Sequence, residues 1–128
     1  MRALRTLRRR QTAGEVVRAF NEALNRHDLA SMLDHLTEDT IFENTSPAPD
    51  GSRYVGREAV SAFWQEFFDT STGAHIEPEE VFAYRDRCVM RWRYEWRGLD
   101  GTPGHVRGID VYRVRGERIA EKLSYVKG

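Results

Sequence analysis

The chain has 128 residues, 40% of them hydrophobic and 31% charged, which is the composition of an ordinary globular protein. Its 20 acidic and 20 basic residues give a formal charge of zero, which excludes an overall field that attracts nucleic acid or lipid. This length predicts one domain whose hydrophobic core is large enough to fold without disulfides or a structural metal ion.

The N-terminal segment departs from this even distribution of charge. Residues 1–11 are predicted to form a basic, flexible arm, because they lack acidic residues and contain Arg2, Arg5, Arg8, Arg9 and Arg10. Such an arm can bind nucleic acid or anionic lipid, but a short disordered tail is the simpler interpretation, so neither partner is expected. The segment lacks the apolar stretch of a secretory signal, and no part of the chain approaches the ~20 apolar residues of a membrane span.

Three helices are predicted in the N-terminal half. Thr12 and Glu15 have the spacing of a capping box, and apolar residues recur at helical spacing over residues 12–26. Asp28 is predicted to cap a short second helix, whose inner side carries Leu29, Met32, Leu33 and Leu36. The third helix is predicted over residues 57–69, and its apolar stripe consists of Val60, Phe63, Trp64, Phe67 and Phe68.

The strands are predicted mainly in the second half. A short strand over residues 40–44 is followed by a loop over residues 45–55 that contains two prolines and a glycine. Longer strands follow over residues 74–84, 87–97, 105–115 and 117–127, with hairpin turns at 85–86, 99–104 and 115–117. This order predicts a single α+β domain over residues 12–128, with N-terminal helices packed on a curved, mainly antiparallel sheet. Because helices over one face of a curved sheet enclose space, an internal pocket is expected.

Asp110 is the residue that points most directly to a function. Residues 106–114 alternate with the period of two of a strand, and Asp110 shares one face with Val106, Gly108, Tyr112 and Val114. That face is otherwise apolar and is expected to point inward, where an unpaired carboxylate is costly. Two explanations are open: the carboxylate faces a ligand pocket, or a partner hidden in the core neutralises it.

The strand before the one with Asp110 also separates into an apolar and a charged face. Its even positions, including Trp92, are expected to face inward, and its odd positions to lie outside or in a subunit contact. A three-residue turn in the last hairpin would place Asp110 opposite Lys122, and Gly108 opposite Ser124. In that register Asp110 and Lys122 would form an ion pair, whereas a shift by one residue would put Lys122 on the other face.

The cysteine and histidine residues give no support to redox or metal chemistry. Cys88 is the only cysteine, which excludes an intrachain disulfide and fits a reducing compartment, so a cytoplasmic location is expected. It lies in a strand pattern without a nearby histidine and is interpreted as a core residue. The four histidines show no metal-ligand spacing, and neither a metal nor another cofactor is expected.

The order of these motifs resembles that of a known family. Two helices precede the segment 39–44 (Asp-Thr-Ile-Phe-Glu-Asn), a proline-rich loop and the segment 56–60 (Gly-Arg-Glu-Ala-Val), and the segment 110–114 (Asp-Val-Tyr-Arg-Val) comes before Ile119 and Tyr125. Over residues 14–126 the chain resembles the SnoaL-like branch of the nuclear transport factor 2-like superfamily. The resemblance implies a sheet wrapped around helices as a cone with an apolar pocket, and commonly a homodimer formed through the sheet.

The resemblance also places residues of this chain at the catalytic positions of related enzymes. In ketosteroid isomerases, a tyrosine, an aspartate base and an aspartate donor fall on Phe20, Asn44 and Asp110, of which only Asp110 is retained. In SnoaL-type polyketide cyclases, a carboxylate on the final strand and a histidine on the strand before it fall on Ser124 and Asp110. The chain is thus similar to these enzymes in fold, without their complete acid–base sets.

Limonene epoxide hydrolases provide a third comparison. Their Tyr-x-Asn motif falls on residues 42–44 (Phe-Glu-Asn), which retain only the asparagine, and their catalytic aspartate falls on Ser124. Their Arg-x-Asp motif aligns with residues 93–95, but strand alternation puts that pair outside the pocket. Epoxide hydrolysis by their mechanism is therefore rejected.

Two hypotheses about function remain. In the first, the protein binds a small hydrophobic molecule, and Asp110 acts on it as an acid or a base in isomerase, cyclase or hydratase chemistry. The candidate ligand-binding residues are Phe20, Phe42, Asn44, Trp64, Trp92, Tyr112 and Ser124. In the second, the protein is a non-catalytic ligand-binding or dimerisation module, in which Asp110 is a structural partner of Lys122 or of backbone groups.

Overall fold

Helices dominate the first half of the chain, and long strands make up the second half. The structure is a computed structural model that describes residues 9–71 and 73–128. In chain order the elements are α1 (Ala13–Asn25), α2 (Leu29–Asp34), β1 (Leu36–Glu43), β2 (Arg53–Val55), α3 (Arg57–Thr70), β3 (His75–Tyr84), β4 (Arg87–Arg97), β5 (Pro103–Arg115) and β6 (Arg118–Val126). Most of the predicted basic arm, residues 1–8, lies outside the described residues; at its end, Arg9 forms an ion pair with Glu15.

The strands form one sheet with the helices packed against one of its faces. The strand order is β2-β1-β6-β5-β4-β3, and every neighbouring pair is antiparallel except β1 and β6. The predicted α+β class, with N-terminal helices on a mainly antiparallel sheet, is confirmed. The single parallel pair arises because β6 returns beside β1 after the chain has formed the β3–β5 meander.

The helix starts that were predicted from capping motifs are confirmed. Thr12 Oγ1 accepts a hydrogen bond from the backbone N–H of Glu15 at 3.1 Å, and Glu15 Oε1 accepts one from the backbone N–H of Thr12 at 3.3 Å. Asp28 caps α2 by accepting hydrogen bonds from the backbone N–H and the hydroxyl of Ser31. The placement of Leu36 on the second helix is wrong, because Leu36 is the first residue of β1 and pairs with β6.

The first strand is longer than its local sequence indicates. It begins at Leu36 rather than at residue 40, and the predicted loop over residues 45–55 contains the short strand β2. Both differences come from pairing with other segments, since the start of β1 lies beside β6 and β2 pairs with the end of β1. Such pairings leave no periodic signal in the segment itself.

The last hairpin has a different register from the predicted one. Its turn contains only residues 116–117, both with positive φ, instead of three residues. A bulge at Ala120 then shifts the pairing by one further residue. Asp110 therefore lies opposite Ser124 and not opposite Lys122. Because the two shifts add up to two residues, Lys122 stays on the inner face of the sheet.

The core lies between the helices and the inner face of the sheet. α1 contributes an apolar stripe of fully buried residues, Val16, Val17, Phe20 and Leu24. The predicted alternation is confirmed on β4 and β5, whose buried inner residues are Cys88, Met90, Trp92, Gly108, Asp110, Tyr112 and Val114. Burial raises the pKa of the Cys88 thiol to about 11, so this thiol is an unreactive core group.

Candidate ligand-binding site

A cavity of about 140 Å³ lies between α3 and the inner face of the sheet. Its wall is mainly aromatic, and the rings come from β1, β2, α3 and β4: Phe42, Tyr54, Phe63, Trp64, Phe67, Trp92 and Tyr94. Polar side chains enter the wall from β5, β6 and the end of β1, namely Asp110, Lys122, Ser124 and Asn44. The inner face of the sheet thus places a few polar groups against a largely apolar space, which is the usual character of a small-molecule site.

The aromatic wall is held by contacts between its own rings. Phe42 of β1 meets Trp64 of α3 edge to face, with the ring centroids 6.2 Å apart. Trp64 meets Phe67 edge to face at 5.2 Å, and Phe67 lies 5.9 Å from Tyr94 of β4. These geometries are favourable for aromatic pairs, so the rings hold one another in place as the wall of the cavity.

Gly108 makes room for the Trp92 side of the cavity. The two residues lie opposite each other on β5 and β4, and a Cβ atom at position 108 would lie 2.5 Å from Trp92 Cζ2. It would also lie 2.2 Å from the backbone oxygen of Tyr125. Glycine therefore lets β5 approach β6 while the indole of Trp92 lies over the strand. Gly108 pairs with Val126 and not with Ser124 as predicted, because of the register shift in the last hairpin.

Asp110 has one oxygen in contact with protein groups and one without a partner. The residue is only 3% exposed. Its Oδ2 accepts a hydrogen bond from the Tyr112 hydroxyl at 3.1 Å and lies 3.6 Å from Lys122 Nζ. Its Oδ1 is also buried, but it has no hydrogen-bond partner among residues 9–71 and 73–128. Because an unpartnered buried carboxylate oxygen is costly, its position on a cavity wall favours a bound hydrogen-bond donor.

Lys122 supplies the positive charge of the site. Its ammonium group donates a hydrogen bond to Ser124 Oγ at 2.8 Å. The same group lies 5.3 Å from the centroid of the Phe42 ring and 5.7 Å from that of Trp64, where ring faces attract a cation. The ion pair that the sequence suggested with Asp110 is present, although the two residues are diagonal neighbours on β5 and β6 rather than opposite ones.

Tyr112 lies behind Asp110 and orients it. The tyrosine is 1% exposed and does not line the cavity, although its side chain was a candidate ligand-binding group. Burial raises the pKa of Tyr112 well above its ordinary value, and the neighbouring Asp110 carboxylate raises it further. The hydroxyl therefore stays protonated at neutral pH and acts as a fixed donor to Asp110 Oδ2.

Two wall residues have indole N–H groups without an acceptor. Trp64 Nε1 and Trp92 Nε1 are both buried, and neither has a hydrogen-bond partner in the part of the chain that the structure describes. An indole N–H can only donate a hydrogen bond. An acceptor atom of a bound molecule, or water, is what these two groups require.

The structure brings most of the residues singled out from the sequence to this one cavity, where Phe42, Asn44, Trp64, Trp92, Asp110 and Ser124 all lie. Phe20 does not line it, because α1 packs deeper in the core and Phe20 is fully buried behind the rings of Phe42 and Trp64. Asn44 also has a structural task, since its Oδ1 accepts a hydrogen bond from the backbone N–H of Ser52 at 2.7 Å and so closes the β1–β2 loop.

Sequence reasoning missed several wall residues. Phe63 and Phe67 were recognised only as the apolar stripe of the third helix, and Tyr54 lies in a segment interpreted as a loop. Lys122 was considered as a partner of Asp110 but not as a group that faces a ligand. The sequence contained a signal for this role, because Lys122 and Ser124 are two residues apart on β6 and therefore share one face of the strand.

The other openings of the molecule are less suited to a ligand. A larger cleft of about 780 Å³ lies at the β4–β5 hairpin, lined by exposed groups such as Glu95, Trp96 and Arg97. It is remote from Asp110, and no buried polar atom without a partner lies on its wall in the described chain. Within the described ranges, no group of three or more His, Cys, Asp or Glu side chains is arranged to hold a metal ion. None of the helices in these ranges is long and apolar enough to cross a membrane.

Comparisons with known proteins identify relatives of this chain. The sequence pattern of the SnoaL-like domain matches residues 17–122. An NTF2-like protein of unknown function from Mesorhizobium loti is 38% identical, and its crystal structure matches with a TM-score of 0.78 over 97% of this chain and 98% of that chain. No protein with a curated description matches the sequence.

Two more distant crystal structures share the architecture. A protein with a ketosteroid isomerase-like fold from Catenulispora acidiphila, in complex with trimethylamine, is 20% identical, with a TM-score of 0.77 over 87% of this chain and 84% of that chain. A candidate SnoaL-like polyketide cyclase from Shewanella denitrificans is 18% identical, with a TM-score of 0.76 over 90% of each chain. At these identities the similarity shows the fold alone.

Proposed function

The chain belongs to the family of SnoaL-like domains, and on this basis we propose that it binds a small, largely apolar metabolite in the cavity between α3 and the sheet. In this proposal Asp110 is the group that exchanges a proton with the bound molecule. The observation that carries the proposal is the buried oxygen Oδ1 of Asp110, which has no partner among the described residues although its side chain lines the cavity.

The surroundings of Asp110 suit general acid–base chemistry. Tyr112 and Lys122 interact with Oδ2, so Oδ1 is the oxygen left for a proton of the ligand. A carboxylate that removes a proton from a carbon next to a carbonyl group, and returns it at another position, catalyses an isomerisation. Removal of that proton leaves a carbanion. If the carbanion attacks a second carbonyl group in the same molecule, a ring closes. Catalysis of this kind is favoured by an aromatic wall that keeps water away from the reacting atoms.

A second candidate function is ligand binding without catalysis. It is favoured by the ion pair between Asp110 and Lys122, since a buried carboxylate next to an ammonium group has a structural explanation. Comparison with the catalytic residues of ketosteroid isomerases, SnoaL-type polyketide cyclases and limonene epoxide hydrolases adds no further support for catalysis. Their other acid–base groups correspond to Phe20, Asn44 and Ser124 here, none of which is a carboxylate or a histidine.

The experiment that separates the two functions is exchange of ligand hydrogens with solvent deuterium. Aromatic, terpenoid and polyketide-like ketones would first be screened for a rise in melting temperature. Each ketone that stabilises the protein would then be followed by NMR in D₂O. We expect the wild type to accelerate exchange of hydrogens next to the carbonyl group, and Asp110→Asn to lose this activity while keeping its fold.

The control variant is Asp50→Asn, which changes the same chemical group on the exposed β1–β2 loop. It is expected to exchange ligand hydrogens at the wild-type rate. Ligand binding without any exchange would contradict catalysis and leave the non-catalytic function. If no compound in the panel stabilises the wild type, the proposed binding function is wrong as well.

We also propose that two copies of the chain associate through the outer face of the sheet. Register aligns Phe82, Val89, Val111 and Leu123 as one apolar row across β3, β4, β5 and β6. Several charges around this row are paired within the same face, as in the contacts of Arg91 with Glu80, Arg107 with Glu79 and Arg87 with Glu121. A face with an apolar row between paired charges is compatible with a second copy of itself.

A further inference from the structure

We infer that the ligand is a neutral, single-ring compound with a carbonyl oxygen and a hydroxyl group, and that Lys122 binds the carbonyl oxygen. This inference rests on the proposed function, because it assigns the ligand of the same cavity. It goes beyond that function by naming a chemical class and by giving a binding role to a residue that had been considered only as an ion-pair partner.

The size of the cavity limits the ligand to one ring. Its volume is about 140 Å³. An engineered apolar cavity of roughly 150 Å³ binds benzene, whereas drug-sized ligands occupy roughly 300 Å³ or more. A single ring with short substituents therefore fits beside Trp64 and Trp92. A compound with three or four fused rings does not fit unless the aromatic wall opens.

The polar atoms of the wall define where the ligand needs acceptors. Trp64 Nε1 and Trp92 Nε1 are buried donors without a partner among the described residues. The ammonium group of Lys122 has three N–H donors, and among residues 9–71 and 73–128 only Ser124 Oγ lies within hydrogen-bond distance, at 2.8 Å. Because Ser124 Oγ accepts that bond, its own O–H remains a donor. The wall thus offers several donors to an oxygen acceptor of the ligand, such as a carbonyl group.

One acceptor on the wall defines where the ligand needs a donor. Asp110 Oδ1 is buried and unpartnered within the described chain, while Oδ2 already accepts a hydrogen bond from Tyr112. A hydroxyl group of the ligand is a neutral donor that satisfies Oδ1. Combined with the carbonyl group, this requirement gives a hydroxy-carbonyl compound with both functions on or next to the ring.

The charge of the site favours a neutral ligand over an anionic one. Asp110 and Lys122 form an ion pair at 3.6 Å with 5% and 10% of their side chains exposed, so their charges balance in a buried space. A ligand carboxylate would add a second negative charge close to Asp110. A ketone or an enol accepts the same hydrogen bonds from Lys122 without that repulsion.

The test compares the affinities of small probes by calorimetry, using the full chain. The probes are toluene, phenol, acetophenone, 4-hydroxybenzoate, the 3′ and 4′ isomers of hydroxyacetophenone, and the three-ring compound alizarin. We expect one hydroxyacetophenone isomer to bind about tenfold more tightly than phenol or acetophenone, which each lack one of the two groups. It is also expected to bind more tightly than 4-hydroxybenzoate and alizarin.

The role of Lys122 is tested with Lys122→Met and the matched control Lys127→Met, which removes the other lysine at the exposed end of the chain. Lys122→Met is expected to lower affinity for hydroxyacetophenone about tenfold and to leave toluene binding unchanged. Should Lys122→Met fail to fold, the loss of affinity for hydroxyacetophenone is measured in the double variant Asp110→Asn with Lys122→Met, which removes both buried charges. Lys127→Met should behave as the wild type.

The outcomes separate this inference from the proposed function. If no single-ring probe binds, the cavity is not a ligand site and the proposed function fails. If toluene binds as tightly as the hydroxyacetophenones, the cavity is a ligand site but its polar groups do not select the ligand, and the inference is overturned. Tighter binding of alizarin overturns the single-ring limit, and unchanged affinity in Lys122→Met overturns the role of the lysine.

Discussion

Asp110 and Lys122 lie on adjacent strands of the inner sheet face, where both side chains are at least nine-tenths buried. Their ion pair at 3.6 Å is supported by hydrogen bonds at each end, from Tyr112 to the carboxylate and from the ammonium group to Ser124. Coulomb attraction in such a place offsets the desolvation of both ions only when the two are present together. Each residue therefore depends on the other for its effect on stability.

The first prediction concerns this dependence. Lys122→Met leaves the Asp110 carboxylate buried without its cation, so we expect the free energy of unfolding to fall by about 3 kcal/mol. Adding Asp110→Asn to this variant removes the uncompensated charge and is expected to restore more than half of the loss. Urea unfolding of the two single variants and the double variant measures these values. Additive losses would show that the two residues do not stabilise each other.

Alternation along β5 was enough to predict that Asp110 faces inward, because the period of two fixes which residues share a face. Whether it would meet a partner or a cavity depended on the register of β6, which a glycine turn and the bulge at Ala120 decide. The local sequence does not reveal that bulge. Lys122 nevertheless lies on the expected face, because the shorter turn and the bulge each shift the register by one residue.

At the scale of elements, α1 begins with a capping box that is linked to the preceding segment. Hydrogen bonds from the Arg9 side chain, and then from the backbone and side chain of Thr12, lower the pKa of Glu15 to about 2. A carboxyl group whose pKa is lower in the folded state stabilises the fold when it is ionised. Its contribution is therefore complete above its unfolded pKa and is lost as the pH falls towards 2.

The second prediction follows from this pKa. The difference in unfolding free energy between the wild type and Glu15→Ala is expected to be constant from neutral pH to about pH 5, and to disappear as the pH approaches 2. Denaturant unfolding at a series of pH values measures it. As a control, Asp50→Asn removes an exposed carboxylate for which no partner contact is expected to be lost. A difference that grows towards low pH would contradict the assignment.

The third prediction compares two glycines that face tryptophans across β4 and β5. A Cβ atom at Gly108 meets the backbone of Tyr125 as well as Trp92, whereas one at Gly104 meets only the partly exposed side chain of Trp96. Gly108→Ala is therefore expected to destabilise the protein by about 2 kcal/mol and to weaken ligand binding, because the strand and the Trp92 wall must both move. Gly104→Ala, the matched control, should cost much less. Equal losses in the melting temperature would contradict this account of the Trp92 wall.

Elements whose signal is local were predictable, and those that depend on distant partners were not. The capping motifs of α1 and α2 and the alternation of β4 lie within single segments. The start of β1 at Leu36 and the strand β2 exist because other strands supply hydrogen bonds to them. The wall of the cavity depends on how α3 lies over the inner face, so of its aromatic side chains only Trp64 was expected at a ligand, and Phe63 and Phe67 were recognised only as part of an apolar stripe.

At the scale of the whole molecule, the outer sheet face carries exposed apolar side chains on several strands. Phe82 on β3 is 58% exposed, and Ile109 on β5, which is 37% exposed, lies opposite Tyr125 on β6, which is 55% exposed. Scattered apolar residues are normal on a protein surface, but a continuous apolar row across four strands supports the proposed association of two copies. The cavity lies on the inner face, away from the proposed contact between two copies.

The fourth prediction is that the protein is a dimer in solution. Sedimentation equilibrium is expected to give twice the mass of 14.9 kDa for the wild type. Val111→Arg, which places a charge in the middle of the apolar row, is expected to give a monomer with an intact fold by circular dichroism. Ser61→Arg, on the helix side of the molecule, is the control and should stay dimeric. A monomeric wild type would contradict the proposed association.

The most direct test of the cavity as a ligand site uses the indole N–H signals of the three tryptophans in an NMR spectrum of ¹⁵N-labelled protein. Trp64 and Trp92 have buried indole N–H groups at the cavity, and Trp96, outside its wall, serves as an internal reference. Saturation with toluene or 4′-hydroxyacetophenone is expected to move the signals of Trp64 and Trp92 and to leave that of Trp96 in place. If neither compound moves either cavity signal, the cavity beside Asp110 is not a ligand site.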